Sequence, residues 1–418
     1  MRSTRSARPR LVTARFLALG VAALGYFFAE GVLVPAVPRY VAGPLAGDDV
    51  AVGLVVGVFS LTALLLRPWA GRLADRRGRA VLMVSGAATY AVAVACYGLA
   101  DSVSVLVGLR LLTGVGEAFF FVGAVTAMSD LAPEERRGEA LSLFSLSLYA
   151  GLALGPPVGE AVTGSLGFTA TWLLAAAGAG TAVILTLRIG DTRPDVPPPA
   201  EPTSTRLIHP AGVVPAILLL TAIWGMASFL AFVPLYALDL GLSGASVPLF
   251  GFAAIVIALR SLGARIPDVL GAPRAVRLAL GTIAAGLAVI GAWHTVPGLL
   301  TGAAVMAVGV ALATPAIFML ALDGVPASEH GAVMGVVSMS LDVALGIGPV
   351  AFGIVASAGG RGNAFLVAAG IAAAGLVLAL ATTRKASAGG GLADLEGVWD
   401  GEVAGRGIAG TGDALQQQ

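Results

Sequence analysis

The chain alternates long apolar runs with short polar breaks. Runs of about twenty apolar residues, the length a helix needs to cross roughly 30 Å of hydrocarbon, occupy positions 16–37, 50–69, 80–100, 104–128, 139–163 and 168–187. The next stretch holds Asp191, Asp195, Glu201 and five prolines from Pro194 to Pro202. It is too polar to span and predicts a central linker. Six further runs follow at 211–237, 247–262, 274–294, 297–322, 332–357 and 364–382, and the chain is then Gly-rich and weakly patterned to Gln418, as a disordered tail would be. The pattern predicts an all-α membrane protein with about twelve transmembrane helices. Its predicted parts are a basic N-terminus (1–15), a six-helix bundle (16–189), a linker (190–210), a second six-helix bundle (211–383) and a tail (384–418).

Composition makes a bilayer the setting for these runs. The 418 residues are 57% hydrophobic and 12% charged, with a mean hydropathy of +0.91, far more apolar than a soluble globular protein. The first run is too long for the core of a signal peptide and is followed by many more, so it reads as a retained helix. A net charge of +1 hides a segregation by loop. Arg2, Arg5, Arg8, Arg10 and Arg15, the cluster after the second run, Arg136, Arg137, Arg188, Arg193, Arg206, Arg265, Arg274, Arg277 and the Arg384-Lys385 pair fall on one side. The other side holds only Arg39 and Arg361. The positive-inside rule then puts both termini in the cytoplasm. Arginine greatly outnumbers lysine, which fits a GC-rich genome, and the expected location is a bacterial cytoplasmic (inner) membrane.

An internal repeat sets the architecture. Arg67, Arg72, Asp75 and Gly78 match Arg260, Arg265, Asp268 and Gly271 at one constant offset, and the same offset carries Asp130 to Asp323, Pro133 to Pro326, Gly138 to Gly331 and Gly155-Pro156 to Gly348-Pro349. Scattered apolar matches arise by chance in such a chain, but this many Gly, Pro and charged matches in one register indicate duplication. Two six-helix halves then share one orientation, with a pseudo-two-fold along the membrane normal and a cavity between them.

The turn after the second run reads Arg67-Pro68-Trp69-Ala70-Gly71-Arg72-Leu73-Ala74-Asp75-Arg76-Arg77-Gly78-Arg79. It serves either as a topology signal alone or as a structured turn in which Asp75, the sole acid, has a dedicated partner. This stretch, its degraded copy after the eighth run and the two six-helix halves resemble the Major Facilitator Superfamily over nearly the whole membrane portion. Two further stretches resemble its proton-coupled drug-exporter branch: Arg110-Leu111-Leu112-Thr113-Gly114-Val115-Gly116, and Gly151-Leu152-Ala153-Leu154-Gly155-Pro156-Pro157-Val158-Gly159. The second, similar to the antiporter motif, departs from it in having Glu160 where a closing glycine is usual. The resemblance implies that Asp75 meets the N-terminus of the eleventh predicted helix, near Gly331, when the cytoplasmic side is shut. There a carboxylate faces the positive end of a helix dipole. Arg79 is expected to pair with Asp75 and Asp130, forming with Gly71 and Gly78 a conformational latch. The second copy has Ala272 in place of Arg79, so the latch should be asymmetric. Gly151, Gly155 and Gly159 clear one helix face while Pro156 and Pro157 bend the helix, either for packing alone or to seal the external side against proton leak.

Charges within the runs are costly in lipid and demand a partner or a wet cavity. Glu30 should lie about 21 Å from the inner face and Arg110 about 9 Å from the outer one, depths that match across a core of about 30 Å and predict a Glu30–Arg110 pair. Glu117 follows Arg110 by two helical turns on the same face. It is the first candidate proton carrier and Glu30 the second; the alternative is an ion pair with Arg110 that never titrates. Asp342, aligned with Tyr149, is a second titrating site, a cationic-substrate contact or a structural hydrogen-bonding group. Glu160 and Asp239 lie near the external ends and are expected to be hydrated. Tyr26, Phe120, Trp224 and Phe229 are candidates for a substrate-cavity wall.

Such a cavity suits bulky amphiphilic molecules better than sugars, which need many hydrogen-bonding groups. The expected function is export of a drug, antibiotic or natural product in exchange for protons by alternating access. The alternatives are a proton-linked sugar or metabolite permease and a non-transporting membrane sensor. An ATP-driven pump needs a Gly-Lys-Ser/Thr phosphate loop, and the single lysine, Lys385, lies between Arg384 and Ala386. Gly410-Thr411-Gly412-Asp413 superficially resembles an aspartyl-protease motif but lies in the tail. His209, His294 and His330 are scattered and Cys96 is alone, so neither a metal site nor a disulfide framework is expected. The expected partners are a small-molecule substrate, protons and the bilayer, with no ATP, nucleic acid or other cofactor, and the chain is expected to be a monomer and not an enzyme.

Overall fold

A computed structural model describes residues 11–133, 136–193, 209–263, 266–326 and 330–387. The arginines at positions 2, 5, 8 and 10, most of the expected linker and tail, and the surroundings of Gly331 lie outside the described residues. The helices are α1 (Ala14–Ala42), α2 (Asp49–Arg77), α3 (Arg79–Ala95, extended by a 3-10 turn Cys96–Leu99), α4 (Val103–Asp130), α5 (Arg137–Ile189), α6 (Pro210–Asp239), α7 (Ser246–Leu262), α8 (Ile266–Leu270), α9 (Ala272–Ala292), α10 (Val296–Leu322), α11 (His330–Gly359) and α12 (Arg361–Ser387). Polar side chains cap several entries: Thr13 Oγ1 accepts from the Phe16 amide at 3.2 Å and Asp48 Oδ1 from that of Ala51 at 2.8 Å.

Ten of these helices are long and apolar enough to cross a membrane, and one of them crosses twice. Within α5, Gly167 takes φ 82° and ψ 178°, and the Thr163 and Thr171 hydroxyls approach to 2.8 Å. Eight residues of straight helix would separate them by about 12 Å, so the chain reverses at Gly167. The fifth and sixth expected spans are therefore the two limbs of α5. Helix α7, with 17 residues, supplies the remaining crossing. Pro156 and Pro157 are carried inside the first limb, and Gly167 is its one non-helical residue.

The duplication is visible in the backbone. Gly78, the single residue between α2 and α3, has φ 97°, and its equivalent Gly271, between α8 and α9, has φ 75°. Gly167 and its equivalent Gly360, between α11 and α12, have φ 82° and 85°. Left-handed backbone of this kind favours glycine. Packing repeats as well: Gly116 of α4 lies against the Gly86 carbonyl of α3, and the equivalent Gly309 of α10 lies against the Ala279 carbonyl of α9. The fold is two pseudo-symmetric six-helix bundles.

The bundles meet along a wedge. Gly53 and Gly57 of α2 press on the backbone of Pro349 and Gly346 in α11, and Gly353 presses on the Asp49 carbonyl. Five turns along the same face of α2, about 27 Å away, Gly71 has open space where a side chain would be; so does Gly335, five turns from Gly353 on α11. The seam is shut at one membrane face and open at the face carrying the basic loops. Ion pairs reinforce the shut end. Arg361 of α12 bonds Asp49 of α2 at 2.8 Å and Asp239 of α6 at 2.6 Å. Glu160 of α5 pairs with Arg39 of α1 and lies against Gly244 in the turn between α6 and α7. Glu160 was expected to be hydrated, but it is buried because the two halves close over it.

Candidate functional site

At the open, basic end, Arg79 joins the hairpin together. The conformation of Gly78 turns α3 back beside α2 and buries the Arg79 side chain. Its Nη1 donates to Asp75 Oδ1 at 2.8 Å and to the Ala74 carbonyl at 2.9 Å, and its Nε to Asp130 Oδ2 at 3.1 Å. Asp75 is half exposed, and Arg79 is the partner its carboxylate reaches. Two residues that sequence reasoning passed over complete the cluster. Asp191 Oδ1 accepts from the Arg79 amide at 2.8 Å, and Arg193 Nη1 donates to the Asp75 and Arg76 carbonyls at 3.2 and 3.0 Å. The available signal was that Gly78 cannot cap α3 with a side chain, so an acid from elsewhere had to meet its unpaired N–H groups.

Deeper in the first half, Glu30 of α1 and Glu117 of α4 place their carboxyl groups beside one another and beside the Tyr26 hydroxyl. Tyr26 precedes Glu30 by one turn, and its ring is locked between Phe120 at 4.0 Å and Tyr90 at 4.7 Å. Glu30 Oε1, Glu117 Oε2 and Tyr26 Oη are buried without a hydrogen-bond partner among the described residues. Two facing carboxylates offer only acceptors. A proton placed between them would let one carboxyl group donate to the other, beside the Tyr26 hydroxyl.

The expected Glu30–Arg110 ion pair is not formed. Arg110 instead turns to α2, where Nε and Nη2 donate to the Val55 and Val56 carbonyls at 2.9 and 3.1 Å and the guanidinium lies 4.4 Å over the Phe59 ring. Gly114 makes this possible by letting α4 touch the Phe59 backbone. Carbonyls, which have a second lone pair after the helix ladder is made, thus replace the carboxylate.

Between the two halves stand two pseudo-symmetric guanidiniums. Arg67 of α2 bonds Asp342 of α11 at 2.8 Å and lies 4.8 Å over Phe121. Its equivalent, Arg260 of α7, reaches across to the other half and lies 4.1 Å over the Tyr149 ring, and Tyr149 is the equivalent of Asp342. Of the expected cavity aromatics, Tyr26, Phe120 and Phe229 are fully buried in packed cores. The Phe229 ring lies tilted against Phe252, with centroids 5.3 Å apart. Tyr26 and Phe120 belong to runs of three aromatics, which cannot all share one helix face, and their rings are turned into the bundle. Trp224, Phe59, Phe121 and Tyr149 are half-buried. The motif glycines of α5 face α1: Gly151 meets Phe27 and Phe28, Gly155 meets Gly31, and Gly159 meets Val32, while Pro156 also packs on Gly31. Among the described residues, no group of three His, Cys, Asp or Glu could hold a metal ion.

Comparison with known proteins agrees with this architecture. The Major Facilitator Superfamily pattern matches residues 19–289 and 262–397. An uncharacterized MFS-type transporter of Burkholderia mallei is 29% identical over 362 residues, covering 83% of this chain and 87% of that protein. One from Salmonella typhimurium is 29% identical over 363 residues, covering 82% and 90%. Among solved structures, a bacterial homolog of the human lysosomal transporter Spinster, inward-facing and unoccupied, superposes with a TM-score of 0.75 at 14% identity, covering 91% of this chain and 98% of that one. The nucleoside transporter NupG does so with a TM-score of 0.69 at 14% identity, covering 89% and 100%. With twelve crossings in two pseudo-symmetric halves and a family pattern running through both, the chain belongs to the Major Facilitator Superfamily of membrane transporters.

Proposed function

We propose that this transporter exports bulky amphiphilic small molecules, drugs or natural products, in exchange for protons. It works as a monomer in a bacterial cytoplasmic membrane, with its basic face and both termini in the cytoplasm. The observation that carries the reading is the Glu30–Glu117 pair. Two carboxyl groups side by side deep in a membrane bundle, with Glu30 Oε1 and Glu117 Oε2 buried and unpartnered among the described residues, are costly unless a proton comes and goes. Alternating access supplies the route.

The wedge described above is then the inward-open conformation. Substrate enters from the cytoplasm between the halves, where half-buried aromatics and few polar groups favour an apolar body. Closure at the basic end brings Asp75 to the N-terminus of α11, near Gly331, a contact worth about 0.3–2 kcal/mol. The shut end, held by Arg361 and by the glycine contacts of α2 and α11, then parts. Protons arriving from outside load Glu117, with Glu30 beside it, and substrate leaves; return to the inward-open state delivers the proton to the cytoplasm. The packing of Gly151, Gly155 and Gly159 on α1 supports a second role, keeping the helix that carries Glu30 sealed against proton leak.

Glu117→Gln tests the assignment in proteoliposomes. Substrate binding and gradient-free exchange of labelled for unlabelled substrate should persist, while substrate-driven proton movement should vanish. Retained coupling would overturn the role of Glu117.

A further inference from the structure

The duplication kept both inter-half guanidiniums and only one carboxylate. Arg67 is balanced by Asp342 at 2.8 Å, so that acid is not free for a cationic substrate. Among the described residues Arg260 has no carboxylate partner. Its Nη2 reaches the Val310 carbonyl and Thr314 Oγ1, both at 3.5 Å, the outer limit of a hydrogen bond, and its Nε, like that of Arg67, is buried with no acceptor among the described residues. The Tyr149 ring at 4.1 Å offsets part of the charge through its π-face but presents no oxygen to the planar donor fork. Such a fork matches a carboxylate or another oxyanion. The guanidinium is half-buried and stands at the seam between the halves. Among the described residues no carboxylate balances this charge inside the membrane protein.

We infer that Arg260 receives the anionic group of the transported molecule, so that the substrate is a lipophilic organic acid carrying its carboxylate or sulfonate on a bulky, ring-containing body. The inference rests on the reading of the inter-half space as the substrate site, and it narrows the amphiphiles expected there to anionic ones. The acid occupies the place that Asp342 takes on Arg67, and the aromatic body lies against Tyr149.

The test is an equilibrium titration of the full-length protein in detergent with three fluorescent probes of matched body: dansylglycine (an acid), dansylglycinamide (neutral) and dansylcadaverine (a cation). Dansylglycine should bind roughly 10–100-fold more tightly than the amide, as a charge-assisted hydrogen bond provides. Arg260→Gln should bring the acid down to the level of the amide and leave amide binding unchanged. Tyr149→Asp, which gives Arg260 a carboxylate from the chain itself, should also remove the preference for the acid. The inference is overturned if the amide or cation binds as tightly as the acid, if no probe shows carboxylate-dependent binding, or if the preference survives in Arg260→Gln. Binding in detergent needs neither flux nor a proton gradient, so this result and the coupling result for Glu117→Gln can fail separately.

Discussion

Replacing Gly57 by valine tests the wedge between the halves. A Cβ at Gly57 would fall on the Gly346 carbonyl and within 3.3 Å of the Val350 side chain, so α2 and α11 would have to move apart. Forcing a side chain into a packed contact costs about 1–3 kcal/mol. That cost applies only while the seam is shut at this end, so the conformational equilibrium should move about 5–150-fold toward the state open there. Gly71→Val is the counter-perturbation. It lies on the same face of the same helix, in open space in this conformation, and penalises only a state in which the basic ends close. The two substitutions should push the equilibrium in opposite directions. Spin labels introduced by Arg76→Cys and Val269→Cys, both exposed near the basic face, in a Cys96→Ser background, would report this by double electron–electron resonance. Gly57→Val should enrich the shorter distance and Gly71→Val the longer one. Shifts in the same direction, or none with Gly57→Val, would refute the wedge.

Asp75→Asn should slow turnover without changing which molecules bind, measured as exchange rate against equilibrium affinity; unchanged turnover would reduce the hairpin to a topology signal. Asp191→Ala removes the cap on α3 and should cost about 0.5–2 kcal/mol, seen as a lower thermal unfolding midpoint in detergent, and an unaltered midpoint would contradict the capping role. Gly167→Ala meets no neighbour but forces alanine into a backbone region nearly reserved for glycine, at about 1–3 kcal/mol. The same midpoint should fall, and a wild-type value would show that the reversal needs no glycine.

The fold was legible because bilayer thickness fixes helix length and the repeat fixes the pairing of halves. Gly167 escaped the hydropathy pattern only in form: the expected break at 164–167 is a single residue of left-handed backbone at which one helical limb turns back into the next. The hairpin partners Arg79, Asp75 and Asp130 were readable because they lie in one motif and at one helix end. Asp191 was not, because it reaches the hairpin from the far end of α5. Depth along the spans predicted that Glu30 and Arg110 would meet. Depth alone cannot say which way a side chain turns, and Arg110 turned to the carbonyls of α2, leaving Glu30 to Glu117. The pairing of Arg67 with Asp342 was not legible: the repeat aligned Arg67 with Arg260 and Asp342 with Tyr149, and only spatial contact joined the two columns. Aromatic content suggested a cavity wall, and packing took three of the four candidates into the cores.

The measurement that bears most directly on proton-coupled export is proton movement in inside-out vesicles carrying an imposed pH gradient, with lipophilic antibiotics, dyes and sugars added in turn. Collapse of the gradient when an amphiphilic compound is added, and its loss in Glu117→Gln, is the predicted result. A response to sugars or small metabolites but to no amphiphile, or proton movement that Glu117→Gln leaves intact, would contradict it.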